Sequence, residues 1–172
     1  MGNVHGVREI YLYPGQRWFG SGVLTLRTLL GSCVSMTLWH PRHQLGGMCH
    51  YLLPTDPTWT QDRPKDARYA DEAIALFMED LTRTGTRPVD YQVGLFGGSN
   101  MFAALGVNNQ AGSIDVGRRN AAAGRELLQR HGFRGVTEDL GGEGHRQVTL
   151  DLRDGSLWLR RGSGKLMPVV AR

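Results

Sequence analysis

Apolar residues recur at helical spacing in the segment from Arg68 to Arg83. Their three-four spacing is typical of a helix that buries one face. The residues on this face are Ala70, Ala73, Ile74, Phe77, Met78 and Leu81. Gly85 follows at the position of a left-handed C-cap, so the pattern predicts that this helix ends there.

A second helix is predicted from Val116 to His131. Ser113 or Asp115 would cap its first turn, and Gly132 would end it. Its apolar stripe is thinner and consists of Ala123, Leu127 and Leu128.

The remaining apolar runs are short and bounded by turn residues, which predicts strands. They are Glu9–Leu12, Val23–Leu30, Val34–Trp39, Leu45–Leu53, Val89–Phe96, Val136–Leu140, Gln147–Leu152 and Ser156–Arg160. The segment from Thr55 to Lys65 has no periodicity and is predicted to be a loop near the functional site. Because strands precede, separate and follow the helices, we predict an α+β fold of mixed sheets flanked by helices. The length of 172 residues suits a single domain over 1–172.

Composition and charge exclude several classes of function. No apolar run approaches the roughly 18 residues of a membrane span, and the amino terminus has no signal-peptide pattern. The net charge of +4 comes from scattered arginines without an aromatic–basic platform, so no nucleic-acid partner is expected. We therefore expect a cytoplasmic protein without membrane insertion, whose two cysteines stay reduced.

Cys33 and His50 are the candidates for chemistry. Cys33 follows a Gly31-Ser32 corner between two apolar runs, where a thiol can be exposed beside backbone N–H groups. A cysteine nucleophile needs such donors for its oxyanion and a nearby imidazole as base. Thr28, Thr25 and Ser35 are hydroxyl candidates for orienting the ring of His50. From chemistry alone, a buried core cysteine and an ordinary strand histidine remain the commoner interpretation of such residues.

Metal and phosphate sites are less consistent with the pattern. Cys49 and His50 are adjacent, and neighbouring side chains of a strand point to opposite faces, so they do not converge with Cys33 on zinc. The glycine runs at 97–98 and 141–144 lack the lysine and the helix of phosphate-binding loops. Neither a zinc site nor a phosphate-binding loop is therefore expected.

The sequence resembles the chemoreceptor glutamine deamidase family, CheD, of bacterial chemotaxis. Ordered motifs over nearly the whole chain carry this resemblance. They are Pro14-Gly15, Thr28–Val34, Gly46–Pro54, Arg68-Tyr69, Phe96–Phe102, Gly117–Asn120 and Asp139–Gly142.

The resemblance implies Cys33 as the nucleophile, His50 as general base and acid, and a threonine upstream of the cysteine, for which Thr28 is the candidate, as the group that orients His50. It also implies an α/β/β/α layered fold, shared with some deamidating bacterial toxins, and no cofactor. The implied substrate is glutamine in the cytoplasmic domains of chemoreceptors, and the chemotaxis phosphatase CheC is a further candidate partner. Two alternatives stay open: a non-catalytic module that binds receptors or a phosphatase, and a hydrolase of receptor glutamyl methyl esters.

Four geometric expectations follow for the site. The Cys33 sulfur should lie within hydrogen-bond reach of the His50 ring, and Cys33 should begin an element at a surface cleft. Leu29 and Leu30 should be buried. Free backbone N–H groups should lie near Cys33.

Overall fold

A computed structural model of the chain describes residues 6–102 and 115–170. It contains two helices, α1 (Ala70–Thr84) and α2 (Asp115–Arg130), and a 3₁₀ turn, Pro88–Asp90. The first six strands are β1 (Arg8–Tyr11), β2 (Arg17–Gly20), β3 (Leu24–Leu30), β4 (Val34–His40), β5 (Leu45–Cys49) and β6 (Gln92–Gly97). The last four are β7 (Thr137–Leu140), β8 (Arg146–Asp151), β9 (Leu157–Arg161) and β10 (Met167–Val169).

The strands form two five-stranded mixed sheets. Sheet A has the order β1-β3-β8-β9-β10, and sheet B has the order β2-β5-β4-β6-β7. Each sheet has one parallel pair, β1 with β3 and β6 with β7, and its other pairs are antiparallel. The candidate site residues lie where β3 of sheet A faces β4 and β5 of sheet B.

Two apolar cores lie on the two faces of sheet B. The inter-sheet core joins sheet B to sheet A and contains Leu12, Leu24, Leu26, Leu30, Trp39, Met48, Phe96, Val148, Leu150 and Leu152. The helix-side core joins sheet B to both helices, and its residues include Val34, Met36, Leu38, Cys49, Tyr51, Ile74, Phe77, Leu95 and Leu128. Because successive strand residues point to opposite faces, β4 contributes to both cores in alternation.

The predicted α+β class, with mixed sheets flanked by helices, is confirmed. Both described helices pack on sheet B, so the described layers run helix, sheet, sheet. The second outer helical layer implied by the resemblance is not among residues 6–102 and 115–170. None of the helices described is long and apolar enough to cross a membrane.

The helix predictions are close to the observed bounds. Five of the six predicted face residues of α1 belong to the buried core, and Met78 packs against it. Gly85 adopts the left-handed conformation with φ 68°, as the C-cap prediction requires. Gly132 follows α2 with φ 87°. The predicted cap at Ser113 lies outside the described residues, and the side chain of Asp115 is not described.

The strand predictions differ from the structure in four places. Strands β2 and β10 are not predicted, and β5 ends at Cys49 although the apolar run continues to Leu53. The strand predicted from Val89 starts only at Gln92, because Pro88–Asp90 form a 3₁₀ turn. Past Tyr51 the backbone changes partners: the Leu52 N–H donates to the Arg68 carbonyl. Hydrophobicity alone does not reveal this change of hydrogen-bond partners.

Candidate active site

His50 and Thr28 are joined by a hydrogen bond across the two sheets. Thr28 belongs to β3 of sheet A, and its Oγ1 lies 2.8 Å from Nδ1 of His50. The same hydroxyl donates to the carbonyl oxygen of Leu12 at 2.7 Å. Both side chains are buried, His50 with 2% of its surface exposed and Thr28 with 0%.

The hydroxyl contacts assign the proton of the His50 ring. A threonine hydroxyl has one hydrogen, and a carbonyl oxygen only accepts. Thr28 therefore donates its hydrogen to the Leu12 carbonyl. The Thr28 oxygen therefore accepts from Nδ1–H of His50. This arrangement leaves Nε2 of the ring unprotonated and able to act as a base.

The strand register places Cys33 diagonal to His50. Val34 and Tyr51 exchange both backbone hydrogen bonds, at 3.1 and 2.9 Å, in an antiparallel bridge. The next pair along this ladder is Ser35 and His50. Cys33 lies two positions from Ser35 and therefore on the same face, where diagonal neighbours have Cα atoms roughly 7–8 Å apart.

Packing supports this placement. Cys33 packs against the inter-sheet core, which also contains Met48, two residues before His50. Val34 and Cys49, the neighbours of the two candidates, lie in the helix-side core. Cys33 and His50 thus face the space between the sheets, whereas Cys49 faces the helices.

The Cys33 thiol makes no hydrogen bond with any residue of the described ranges 6–102 and 115–170. The expected hydrogen bond between the sulfur and the His50 ring is therefore not formed here and stays a prediction. The diagonal position is compatible with such a contact after a side-chain rotation, and catalytic contacts often tighten only when substrate binds.

Burial determines the protonation of the pair. Removal from water raises the pKa of the Cys33 thiol. It also lowers the pKa of His50 to about 4, and the nearby Leu12 carbonyl only partly opposes this. At neutral pH the two groups are therefore a neutral thiol and a neutral imidazole.

The corner that carries Cys33 is bound to a glycine loop. The Gly98 N–H donates to the Cys33 carbonyl, and the Ser99 N–H donates to the Gly31 carbonyl, each at 2.9 Å. A Cβ atom at Gly97, where φ is 117°, would collide with the Cys33 carbonyl oxygen. Only glycine permits this close approach of the two chain segments.

Two backbone donors at the corner are unpaired within residues 6–102 and 115–170. The N–H groups of Ser32 and Cys33 donate to no residue in the described part of the chain. Cys33 itself is half-buried and directly precedes β4. Backbone donors beside a thiol are what an oxyanion hole requires.

One expectation about the site is wrong. Leu30 is fully buried, but Leu29 is 44% exposed. Along β3 the residues at 24, 26, 28 and 30 face the inter-sheet core, so Leu29 points to the outer face of sheet A.

The structure distinguishes the three hydroxyl candidates. Thr28 contacts the His50 ring, whereas Thr25 lies on the other face of β3. Ser35 lies opposite His50, but its buried hydroxyl has no hydrogen-bond partner among the described residues. The Leu12 carbonyl was not found by sequence reasoning, because a backbone acceptor carries no residue-type signal.

Comparison with known proteins gives the family. Residues 52–161 match the family described as CheD chemotactic sensory transduction. The probable chemoreceptor glutamine deamidase CheD 3 of Dechloromonas aromatica is 42% identical over 153 residues, which cover 89% of this chain and 87% of the relative. The chain belongs to the CheD family.

Other CheD relatives show the same extent of similarity. The probable chemoreceptor glutamine deamidase CheD 2 of Albidiferax ferrireducens is 41% identical and covers 94% of this chain and 89% of its own. The probable chemoreceptor glutamine deamidase CheD of Pseudomonas savastanoi pv. phaseolicola is 42% identical, and the match covers 90% of this chain and 85% of the relative. The family match begins at residue 52, two positions after His50, so it does not include Thr28, Cys33 or His50.

A solved structure of low similarity is the Bacillus licheniformis hypothetical protein YfiH. Its TM-score is 0.45 at 16% identity, over 72% of this chain and 49% of that one. Similarity at this level supports no conclusion about function.

Proposed function

We propose that this CheD protein hydrolyses the side-chain amide of glutamine residues in the cytoplasmic domains of chemoreceptors, producing glutamate and ammonia. The observation that carries the proposal is the buried Thr28–His50 hydrogen bond on the face that Cys33 shares. The names of the relatives, which are probable chemoreceptor glutamine deamidases, support the choice of substrate.

In the first half of the reaction, Nε2 of His50 takes the thiol proton as the Cys33 sulfur attacks the amide carbon. The tetrahedral oxyanion is bound by the backbone N–H groups of Ser32 and Cys33. His50 then gives the proton to the departing nitrogen, and ammonia leaves as the C–N bond breaks. The product of this half is a thioester between Cys33 and the former glutamine.

In the second half, His50 removes a proton from water, which attacks the thioester carbon. The C–S bond breaks, and the proton returns to sulfur, so glutamate and the free thiol result. Thr28 is not consumed in either half. It accepts from Nδ1–H and thereby keeps Nε2 as the basic nitrogen throughout.

The test uses the purified protein and cytoplasmic fragments of its cognate chemoreceptors. We expect glutamine side chains to gain the mass of deamidation and ammonia to appear in equal amount. Cys33→Ala should abolish both while the protein remains folded. Cys49→Ala is the matched control, because this second thiol is fully buried on the other side of sheet B and should not be needed.

Two outcomes would favour other functions. Methanol release from methylated receptor, without ammonia release from the glutamine form, would indicate a methyl-ester hydrolase. Receptor binding that is unaffected by Cys33→Ser, with no turnover of either substrate, would indicate a non-catalytic module.

The proposal implies a cytoplasmic location, because the receptor domains that it names are in the cytoplasm. The phosphatase CheC is proposed as a further partner. Sedimentation of the two purified proteins together should show a complex heavier than either component, and independent sedimentation would remove CheC from the proposal.

A further inference from the structure

Asn120 of α2 contacts both segments that carry the candidate catalytic residues. Its Nδ2 lies 3.1 Å from the Ser32 carbonyl oxygen and 2.7 Å from the Leu52 carbonyl oxygen. Both partners are acceptors only, so the amide nitrogen faces them and donates one hydrogen to each. Asn120 is completely buried.

These bonds lie where the β4–β5 ladder opens. Val34 and Tyr51 form its last backbone pair, and continued pairing would join Cys33 to Leu52. Instead the Leu52 N–H donates to the Arg68 carbonyl at 2.8 Å, and the two strands separate. The carboxamide of Asn120 spans this gap and connects the residue before Cys33 to the second residue after His50.

The bond to Ser32 also fixes the direction of a backbone donor. The peptide unit between Ser32 and Cys33 is planar and trans, so its C=O and N–H point in opposite directions. Asn120 holds the C=O toward α2, on the helix side of sheet B. The Cys33 N–H therefore points away from Asn120 and α2, and it donates to no described residue.

A further observation supports a role beyond packing. The Oδ1 atom of Asn120 is buried and has no hydrogen-bond partner among the described residues. An unpaired buried acceptor lowers stability, so such a group calls for an explanation. The explanation is that Asn120 uses both amide hydrogens on the Ser32 and Leu52 carbonyls, and this orientation leaves Oδ1 without a donor.

We propose that Asn120 is a positioning residue that aims the Cys33 N–H at the oxyanion formed during attack by the thiol. This inference rests on the proposed function of Cys33 as a nucleophile. It predicts that loss of the carboxamide impairs reactions of Cys33 that pass through an oxyanion and spares reactions that do not.

Two thiol reagents distinguish these reactions without the natural substrate. In acylation by p-nitrophenyl acetate, sulfur attacks the ester carbonyl, a tetrahedral oxyanion forms, and p-nitrophenolate leaves. In alkylation by iodoacetamide, sulfur displaces iodide at a saturated carbon, and no oxyanion forms. Peptide mapping assigns each product to Cys33 or Cys49.

For Asn120→Leu, which is similar in volume and uncharged, we expect acylation of Cys33 to slow about 100-fold, as for loss of one oxyanion donor, with alkylation nearly unchanged. Asn120→Ser, whose smaller side chain admits water, is the second variant if the first does not fold. Tyr51→Phe is the matched control: it removes the O–H that donates to the Asn120 backbone carbonyl at 2.6 Å but leaves the carboxamide. It should lower the melting temperature and keep the ratio of the two rates at the wild-type value.

Equal slowing of acylation and alkylation in the Asn120 variants would overturn the inference and indicate a purely structural role. An unchanged acylation rate would also overturn it, as would a wild-type protein that is alkylated but not acylated. If the ratio changes as expected while the wild type deamidates no receptor, the inference stands and the glutamine substrate is wrong.

Discussion

His50 and Cys33 have opposite pKa shifts with the same cause. Burial lowers the pKa of the imidazole to about 4 and raises that of the thiol, because each charged form loses its hydration. In the proposed mechanism the pair therefore starts uncharged, and His50 removes the thiol proton during attack. A preformed thiolate–imidazolium pair, as in strongly activated cysteine enzymes, is not favoured by this environment.

The first prediction concerns the pH dependence of Cys33 alkylation. Because only the thiolate reacts and burial raises the thiol pKa, the rate should rise with pH through a midpoint above that of an ordinary cysteine. Iodoacetamide labelling followed by mass spectrometry measures this midpoint. The same thiol in urea-unfolded protein is the control and should titrate at a lower pH. A midpoint below that of the unfolded protein would contradict the neutral pair.

The second prediction concerns the Thr28 hydroxyl. Thr28→Val keeps the shape of the side chain but removes the group that holds Nδ1–H of His50. We expect kcat for deamidation to fall about fivefold to tenfold with little change in KM, since a neutral hydrogen bond contributes roughly 1 kcal/mol. Thr28→Ser retains the hydroxyl and should restore most of the rate. An unchanged kcat in Thr28→Val together with a reduced kcat in Thr28→Ser would show that packing of the methyl group, and not the hydrogen bond, is what matters.

At the scale of elements, the sequence predicts helices and caps, which depend on residues close together in the chain, better than strands that are defined by distant partners. The apolar spacing of α1 and its Gly85 cap are visible in the sequence because one buried face and one left-handed residue define them. Strand β2 has no such signal: Arg17 lies in it, and the strand is defined by its pairing with β5. The resemblance predicts Cys33, His50 and an orienting threonine, whereas the preference for Thr28 over Ser35 rests on the hydrogen bond that Thr28 makes with the His50 ring.

The third prediction concerns the glycine loop after β6. Gly97→Ala should destabilise the fold and displace the Cys33 corner, since its Cβ would meet the Cys33 carbonyl. Gly141→Ala is the matched control, because Gly141 also has a positive φ of 73° but has nothing within 4 Å of an added Cβ. Gly141→Ala loses about 1–2 kcal/mol to its left-handed conformation. The excess loss in Gly97→Ala measures the contact with Cys33 together with the larger strain of a φ of 117°.

Urea denaturation and deamidation rates provide the measurements for this pair of variants. We expect Gly141→Ala to keep its activity and Gly97→Ala to lose it even under conditions where the variant is folded. Similar activity in the two proteins would show that the position of Cys33 does not depend on the Gly97 approach.

At the scale of the whole molecule, Arg146 connects the two sheets beside the site. It begins β8 of sheet A, is 4% exposed, and forms an ion pair with Asp139 of β7 in sheet B. It also donates to the Gly141 carbonyl and, at 2.9 Å, to the hydroxyl of Ser99. The Ser99 N–H in turn donates to the Gly31 carbonyl, so this buried cation supports the loop that carries Cys33.

The last prediction compares Arg146 with Arg125, an exposed arginine of α2 that pairs with the neighbouring residue of β7. Arg146→Met should lower the free energy of unfolding by about 3 kcal/mol or more, because it leaves buried acceptors without their donor. Arg125→Met removes the ion pair between α2 and Glu138, the residue before Asp139. That pair is exposed to solvent, so its loss should cost less than about 1 kcal/mol. Urea denaturation of the two variants gives both values, and equal losses would contradict a connection between the sheets through Arg146.

The Arg146 variant should also alter the alkylation rate of Cys33 while the Arg125 variant keeps it, since only the first removes support from the Ser99 loop.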